Sequence, residues 1–290
     1  MNRTLENERL RIEVAERGSE LVRIYDKEKN REVLWNGDPA VWPKHSPLLF
    51  PMVGQSYQKK YRQDGKEYGM ENHGFAWTST FRFQEEGDGL TAVLESDEET
   101  LHRYPFPFRL TVSHRLLGNR IKILWEVTNT GEKPMYYNIG AHPAFRMPQG
   151  VKNSEMYVSF PGKERLDYIR IQAGQSGCAL TGQTYELPLV QSSVRVTEEF
   201  WNQDVYIFEH QGIEELGLLT PDRKPYVTVY CKGFPYCGIW AKPGAPFICL
   251  EPWHGRCDNH GFLGELKEKT GVMTLQPGKT DRFTYEIEIA

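Results

Sequence analysis

The amino-acid sequence predicts an all-β fold, a large antiparallel sandwich or barrel. Alternating apolar and polar residues recur along most of the chain. A two-residue Gly118-Asn119 link joins two such runs, and no apolar period of 3.6 residues persists beyond two or three turns. Strands at short spacing without intervening helices argue against a βαβ sheet.

Each element follows from its own residues. Leu10, Ile12 and Val14 alternate with charged neighbours, Glu16-Arg17-Gly18-Ser19 turns, and Leu21-Val22-Arg23-Ile24-Tyr25 returns. Phe81 and Phe83 alternate, Glu86-Gly87-Asp88-Gly89 turns, and Leu90, Ala92 and Leu94 run back. The acidic run Glu95 to Glu99 reads as a solvated turn without a role. Leu110, Val112, His114 and Leu116 lead up to Gly118-Asn119, and Ile121, Ile123, Trp125 and Val127 lead away. Later, Tyr226 to Cys231, Cys237 to Ala241, Phe247 to Leu250 and Phe283 to Ile289 read as strands. Pro/Gly pieces such as Lys242-Pro243-Gly244-Ala245-Pro246 are short enough to be turns. With no linker and no fixed repeat, one domain over residues 1–290 is expected.

Composition narrows the function. The 35 Lys and Arg against 39 Asp and Glu leave a net charge of −4, too little positive charge for a protein that neutralises nucleic-acid phosphates. A mean hydropathy of −0.59 and the lack of a long apolar run exclude a transmembrane helix. The polar start Met1 to Glu8 has no signal-peptide core, so a cytoplasmic location is expected. Hydrophobic residues at 39% and aromatics at 12% suffice for a folded core. Any single aromatic reads first as core and second as a surface for sugar or base. The five cysteines include no C-x-x-C pair, which argues against a zinc ribbon or a redox dithiol. Cys231 and Cys249 lie in apolar runs as small hydrophobes, and a reducing compartment fits.

Three segments set a titratable residue among Gly, Pro and aromatics: Asn72-His73-Gly74-Phe75, Gly140-Ala141-His142-Pro143-Ala144-Phe145 and Leu250-Glu251-Pro252-Trp253. Each adjoins a predicted strand, so each is expected at a strand end or in a loop. His142 and Glu251 both precede proline, which favours extended backbone and fixes a side chain as an acid or base requires. Plain strand termination by His-Pro and Glu-Pro is the alternative. A histidine and a carboxylate are the minimum set for moving protons on a neutral substrate without metal or cofactor. Nucleotide, dinucleotide and serine-hydrolase motifs are missing. His254, Cys257, Asp258 and His260 match no usual zinc spacing, so no metal is expected.

Together, the three segments resemble the aldose 1-epimerase (galactose mutarotase) family. The likeness is greatest to its shorter bacterial branch of unassigned sugar specificity. Pro47-Leu48-Leu49-Phe50-Pro51-Met52-Val53-Gly54 and Leu275-Gln276-Pro277-Gly278 add to the resemblance, which runs from about Leu10 to Ile289. It implies a large antiparallel β-sandwich of the galactose mutarotase type. It also implies a reaction that interconverts the α and β anomers of a free aldose, on a small-molecule sugar and without a cofactor. By the same resemblance His142 is the acid, Glu251 the base, and His73 a donor to the ring-oxygen region. Asp204 binds sugar hydroxyls, Asn72 and Gln55 line the site, and Trp253 either stacks on sugar or packs in the core. Nucleic acid and membrane are not expected as partners, and a monomer or homodimer is.

Two departures bear on the substrate. Gln55 and Trp77 stand where many relatives carry arginine, which weakens the expectation of a sugar phosphate; Arg256 is a candidate for supplying charge from another direction. A non-catalytic sugar-binding module is the alternative function. A glycosidase ranks last because only Glu251, with Asp204 a distant second, is a marked carboxylate.

Overall fold

A computed structural model describes residues 1–84 and 89–290, so most of the expected Glu86-Gly87-Asp88-Gly89 turn lies outside the described residues. Two large sheets, antiparallel throughout, carry the fold. The nine-stranded sheet is built around the hairpin Phe108–Leu117 and Arg120–Asn129, whose burial alternates along both strands as the sequence predicts. Gly118 supplies the left-handed first position of its turn, at φ +61°. Strand Thr280–Ile289 lies at the centre of this sheet, between Arg120–Asn129 and Pro225–Tyr230, with Ile287 opposite both Ile121 and Val229. Strands Asn2–Glu6, Leu10–Ala15, Leu21–Asp26 and Arg31–Glu32 form a separate four-stranded sheet.

The eight-stranded sheet runs Ala179–Pro188, Arg165–Ile171, Tyr206–Glu209, Tyr236–Trp240, Phe247–His254, Ile139–Ala141 and Leu48–Leu49, with Ala144–Arg146 pairing separately to Phe247–His254. Period two sorts its side chains. Tyr206, Phe208, Ile239, Ile248 and Leu250 join Ile121, Ile123, Val127, Val229 and Ile287 of the other sheet in one core. Ile207, Trp240, Cys249, Glu251 and Trp253, at the alternate positions, face the other way. Strand Phe247–His254 is therefore buried on both faces. Among the described residues no helix is long and apolar enough to cross a membrane.

Two expectations are corrected. The acidic run is exposed as expected but is not a turn: Glu95 ends strand Leu90–Glu95, and Asp97 caps the helix Glu98–Arg103. The Asp97 carboxylate accepts the Thr100 N–H at 2.8 Å, and the Asp97 N–H donates to Thr100 Oγ1 at 2.7 Å. Acidic side chains satisfy the orphan amides of a helix start, and six residues are too few to display a helical period. The strand predicted as Phe247 to Leu250 continues to His254, which puts Glu251-Pro252-Trp253 inside the sheet rather than beyond its edge.

His114 of the hairpin is 3% exposed, and its Nδ1 has no hydrogen-bond partner among the described residues. Burial pushes its pKa down to about 4. The unfolded imidazole takes up a proton near pH 6.5 and the folded one does not, so stability falls as pH drops through this window. The slope is about 1.4 kcal/mol per pH unit. Urea midpoints between neutral pH and about pH 4.5 should therefore fall less steeply in His114→Leu than in the parent. Equal slopes would remove His114 as a source of acid sensitivity.

Candidate active site

The alternate positions of the eight-stranded sheet open onto a cleft of about 380 Å³. It is bounded by the sheet below and by Trp42, Lys44 and residues 53–55, 72–73 and 173–177 around the rim. His73, His142, Asp204, Glu251, Gln55, Asn72 and Trp253 all line it, so one cleft brings together every residue expected from the sequence.

Proline chemistry shapes its centre. Ile139–Ala141 and Ala144–Arg146 are two halves of one edge interrupted at His142-Pro143, and both pair with Phe247–His254. Ile139 and Gly140 pair with His254 and Trp253, and Ala144 to Arg146 pair with Cys249 to Phe247. Residues 250–252 face the interruption. Leu250 N–H reaches the Pro143 carbonyl at 3.4 Å, and by strand alternation the Pro252 nitrogen faces the same gap, where no donor is required. A proline thus sits inside a central strand without losing a ladder bond. His142-Pro143 and Glu251-Pro252 are both trans; Phe50-Pro51 is cis.

The two interruptions meet. His142 Nε2 lies 3.4 Å from Glu251 Oε2, with the residues 7% and 1% exposed. Neither carboxyl oxygen has a well-formed hydrogen bond among the described residues, and neither does His142 Nδ1. Burial drives Glu251 well above the usual carboxylate range, with the nearby Asp204 charge adding to it and the Trp253 indole opposing it. Burial likewise drives His142 well below the usual imidazole range, helped by the charges of His73 and Lys44. Burial thus leans each group toward its neutral form.

His73 approaches from a loop. Its backbone N–H donates to the Gly54 carbonyl at 3.0 Å, and the Gly54 N–H donates back to His73 Nδ1 at 3.0 Å. An accepting Nδ1 places the ring proton on Nε2. Burial lowers this pKa to about 3, again aided by Lys44. The ring meets His142 edge-on at 5.4 Å between centroids. The Pro47 to Gly54 segment thus supports His73: Phe75 and Ala76 N–H groups both donate to the Phe50 carbonyl.

Asp204 ends a 3₁₀ turn at φ +64° and lines the side of the cleft. Burial raises its pKa, against hydrogen bonds from the Trp240 side chain and the Val205 backbone. Trp253 is 4% exposed and donates Nε1–H to the Ala141 carbonyl at 3.2 Å, a buried wall rather than an open platform. Trp42 and Trp240 are more open and flank His142, at 5.1 and 5.6 Å between centroids. Sequence reasoning missed both.

It also missed Lys44. Neither Gln55 nor Trp77 carries charge, but Lys44 brings one to the cleft, its Nζ 3.6 Å above the Trp77 ring centroid and its side chain in the lining. Arg256 does not take this part. Its buried guanidinium binds the Glu209 carboxylate and the Cys257 carbonyl, away from the cleft. His254, Cys257, Asp258 and His260 do not converge: Asp258 binds the Lys269 ammonium and the Tyr57 N–H, while the His254 ring packs on Phe283. In Lys44→Gln, His73 and His142 should both titrate at higher pH, read from their imidazole NMR signals. Unmoved titrations would show that the Lys44 field does not reach them.

The fold that carries this cleft is shared by solved galactose mutarotase-like proteins. A galactose mutarotase related enzyme from Lactobacillus acidophilus superposes with a TM-score of 0.94 at 26% identity, covering 100% of this chain and 97% of that one. A galactose mutarotase-like protein from Lactobacillus casei gives 0.92 at 29%, covering 100% of both. The chromosomal protein LacX of Lactococcus lactis subsp. lactis is 28% identical over 295 residues, 98% of each chain. The aldose 1-epimerase family profile matches residues 1–275, and the chain belongs to that family.

Proposed function

We propose that this protein is a mutarotase that interconverts the α and β anomers of a free aldose. The observation that carries the reading is the His142–Glu251 contact of 3.4 Å at the buried centre of the cleft. Glu251 as carboxylate takes the proton of the anomeric hydroxyl, while His142 as imidazolium gives its proton to the ring oxygen. The C1–O5 bond breaks and an aldehyde forms. Both residues are then neutral, the state burial favours, so the open chain is formed at a lower electrostatic cost. Rotation about C1–C2 presents the other carbonyl face, and the two transfers reverse to close the opposite anomer. His73 Nε2–H donates toward the ring oxygen, and Asp204 accepts from sugar hydroxyls. Gln55 and Asn72 contact the sugar from the rim, and Trp42 and Trp240 offer apolar surface to its ring.

Polarimetry of freshly dissolved α-D-glucose and α-D-galactose is the test. The expected result is approach to equilibrium rotation faster than in buffer. Saturable sugar binding with no acceleration would instead make the protein a carbohydrate-binding module.

A further inference from the structure

Cys249 lies one pleat step below Glu251 on the cleft side of strand Phe247–His254. A ligand atom from each of His142, Cys249 and Glu251 lies within 4.8 Å of the other two, and all three residues are buried. The proton transfers described above make no use of this thiol. One imidazole nitrogen, one sulfur and one carboxylate oxygen suit a borderline-soft ion; Mg²⁺ and Ca²⁺ call for oxygen donors. Three protein ligands leave the fourth corner of a tetrahedron open.

A second observation points to a cation at the same place. Both oxygens of Glu251 are buried without a well-formed hydrogen bond among the described residues, and the atom nearest to them is His142 Nε2 at 3.4 Å from Oε2. A carboxyl group buried without donors ionises only at a cost, and a bound cation offsets that cost. The charges also balance: Zn²⁺ with a thiolate, a carboxylate and a neutral imidazole sums to zero. Binding expels two protons, one from the Cys249 Sγ–H and one from the Glu251 carboxyl.

We propose that His142, Cys249 and Glu251 form a Zn²⁺ site at the base of the cleft, and that the ion excludes sugar by taking both proton-transfer groups. The exclusion of sugar rests on the function proposed above; the metal site does not. Co²⁺ is the probe, because a bound thiolate gives a near-ultraviolet charge-transfer band that reads the sulfur directly. The parent should bind one Co²⁺ with such a band and lose it on addition of one equivalent of Zn²⁺. Cys249→Ser should lack the band. A Cys231→Ser/Cys237→Ser double variant should retain it, since those sulfurs lie 3.9 Å apart at a different place in the core. In Glu251→Gln, Zn²⁺ affinity should fall by more than the roughly 10–100-fold that loss of an outer-shell partner costs.

No band in the folded parent, or a band that survives Cys249→Ser, overturns the site. If Cys249→Ser does not fold, an unchanged Zn²⁺ affinity in Glu251→Gln overturns it. A cobalt band that follows Cys249 in a protein that accelerates no sugar keeps the metal site and removes the mutarotase.

Discussion

Glu251→Gln should lower the anomerisation rate by about 100- to 10⁴-fold and, unusually for a buried substitution, make the protein more resistant to alkaline unfolding. The amide keeps the shape of the carboxylate but cannot take the anomeric proton. The stability effect follows from burial. Folding raises the Glu251 pKa, whereas the unfolded carboxyl ionises near its ordinary value of about 4.3. Above that pH the unfolded chain has lost a proton that the native state still holds. Parental stability therefore falls with rising pH by about 1.4 kcal/mol per unit until the folded group ionises. Glutamine has no such proton. Urea unfolding at several pH values should show the variant gaining on the parent from about pH 5 upward until the folded carboxyl ionises. A flat difference would mean that the native carboxyl ionises as readily as the unfolded one, and a normal rate would take Glu251 out of the mechanism.

Gly74→Ala should be among the most destabilising single-methyl changes in the chain, by roughly 2–4 kcal/mol. Gly74 sits at φ +73°, where an L side chain is strained. An added Cβ would stand 2.3 Å from the Phe50 carbonyl oxygen and 2.7 Å from the Pro51 nitrogen. Both are backbone atoms, so no side chain can swing away. Gly65 separates the two causes: it has the same φ of +73° but nothing within 4 Å of its Cβ position. Gly65→Ala should cost only the conformational part, about 1–2 kcal/mol. The damage at Gly74 also reaches function, because the neighbouring His73 is oriented by its two bonds to Gly54. Thermal melts of both variants, with rates measured where Gly74→Ala is still folded, test this. Equal melting temperatures would show that the 50–51 backbone yields at no cost.

The sequence made the strands legible wherever one face is buried and the other is wet. The hairpin at Gly118-Asn119 and the terminal run ending at Ile289 are the clearest cases. It failed where that contrast is lost. Phe247–His254 is buried on both faces, so alternation could not mark its end, and Pro252 looked like a stop. The paired interruption at His142 and Pro252 is a property of two strands together, and no single stretch of sequence contains it. His73, His142 and Glu251 were legible because Gly, Pro and aromatics frame them, whereas Asp204 came only through the family resemblance. Trp42 and Lys44 were not: they belong to an irregular stretch before Leu48–Leu49 that has no period to read. Cys249 looked like core because it is core; strand alternation puts it on the face of Glu251, but only the pairing of its strand with the 142–143 interruption brings His142 to both.

The placement of Thr280–Ile289 has a consequence for biosynthesis. Last among the described strands to be made, it is the middle strand of the nine-stranded sheet. Until it emerges from the ribosome, Arg120–Asn129 and Pro225–Tyr230 have no partner on their facing edges, and the two halves of the sheet cannot join. A nascent chain can already contain His73, His142, Asp204 and Glu251 and still lack the layer that backs them. Translation must therefore pass Ile289 before the cleft has a rigid floor, and meanwhile two open strand edges offer themselves to mispairing and to chaperones.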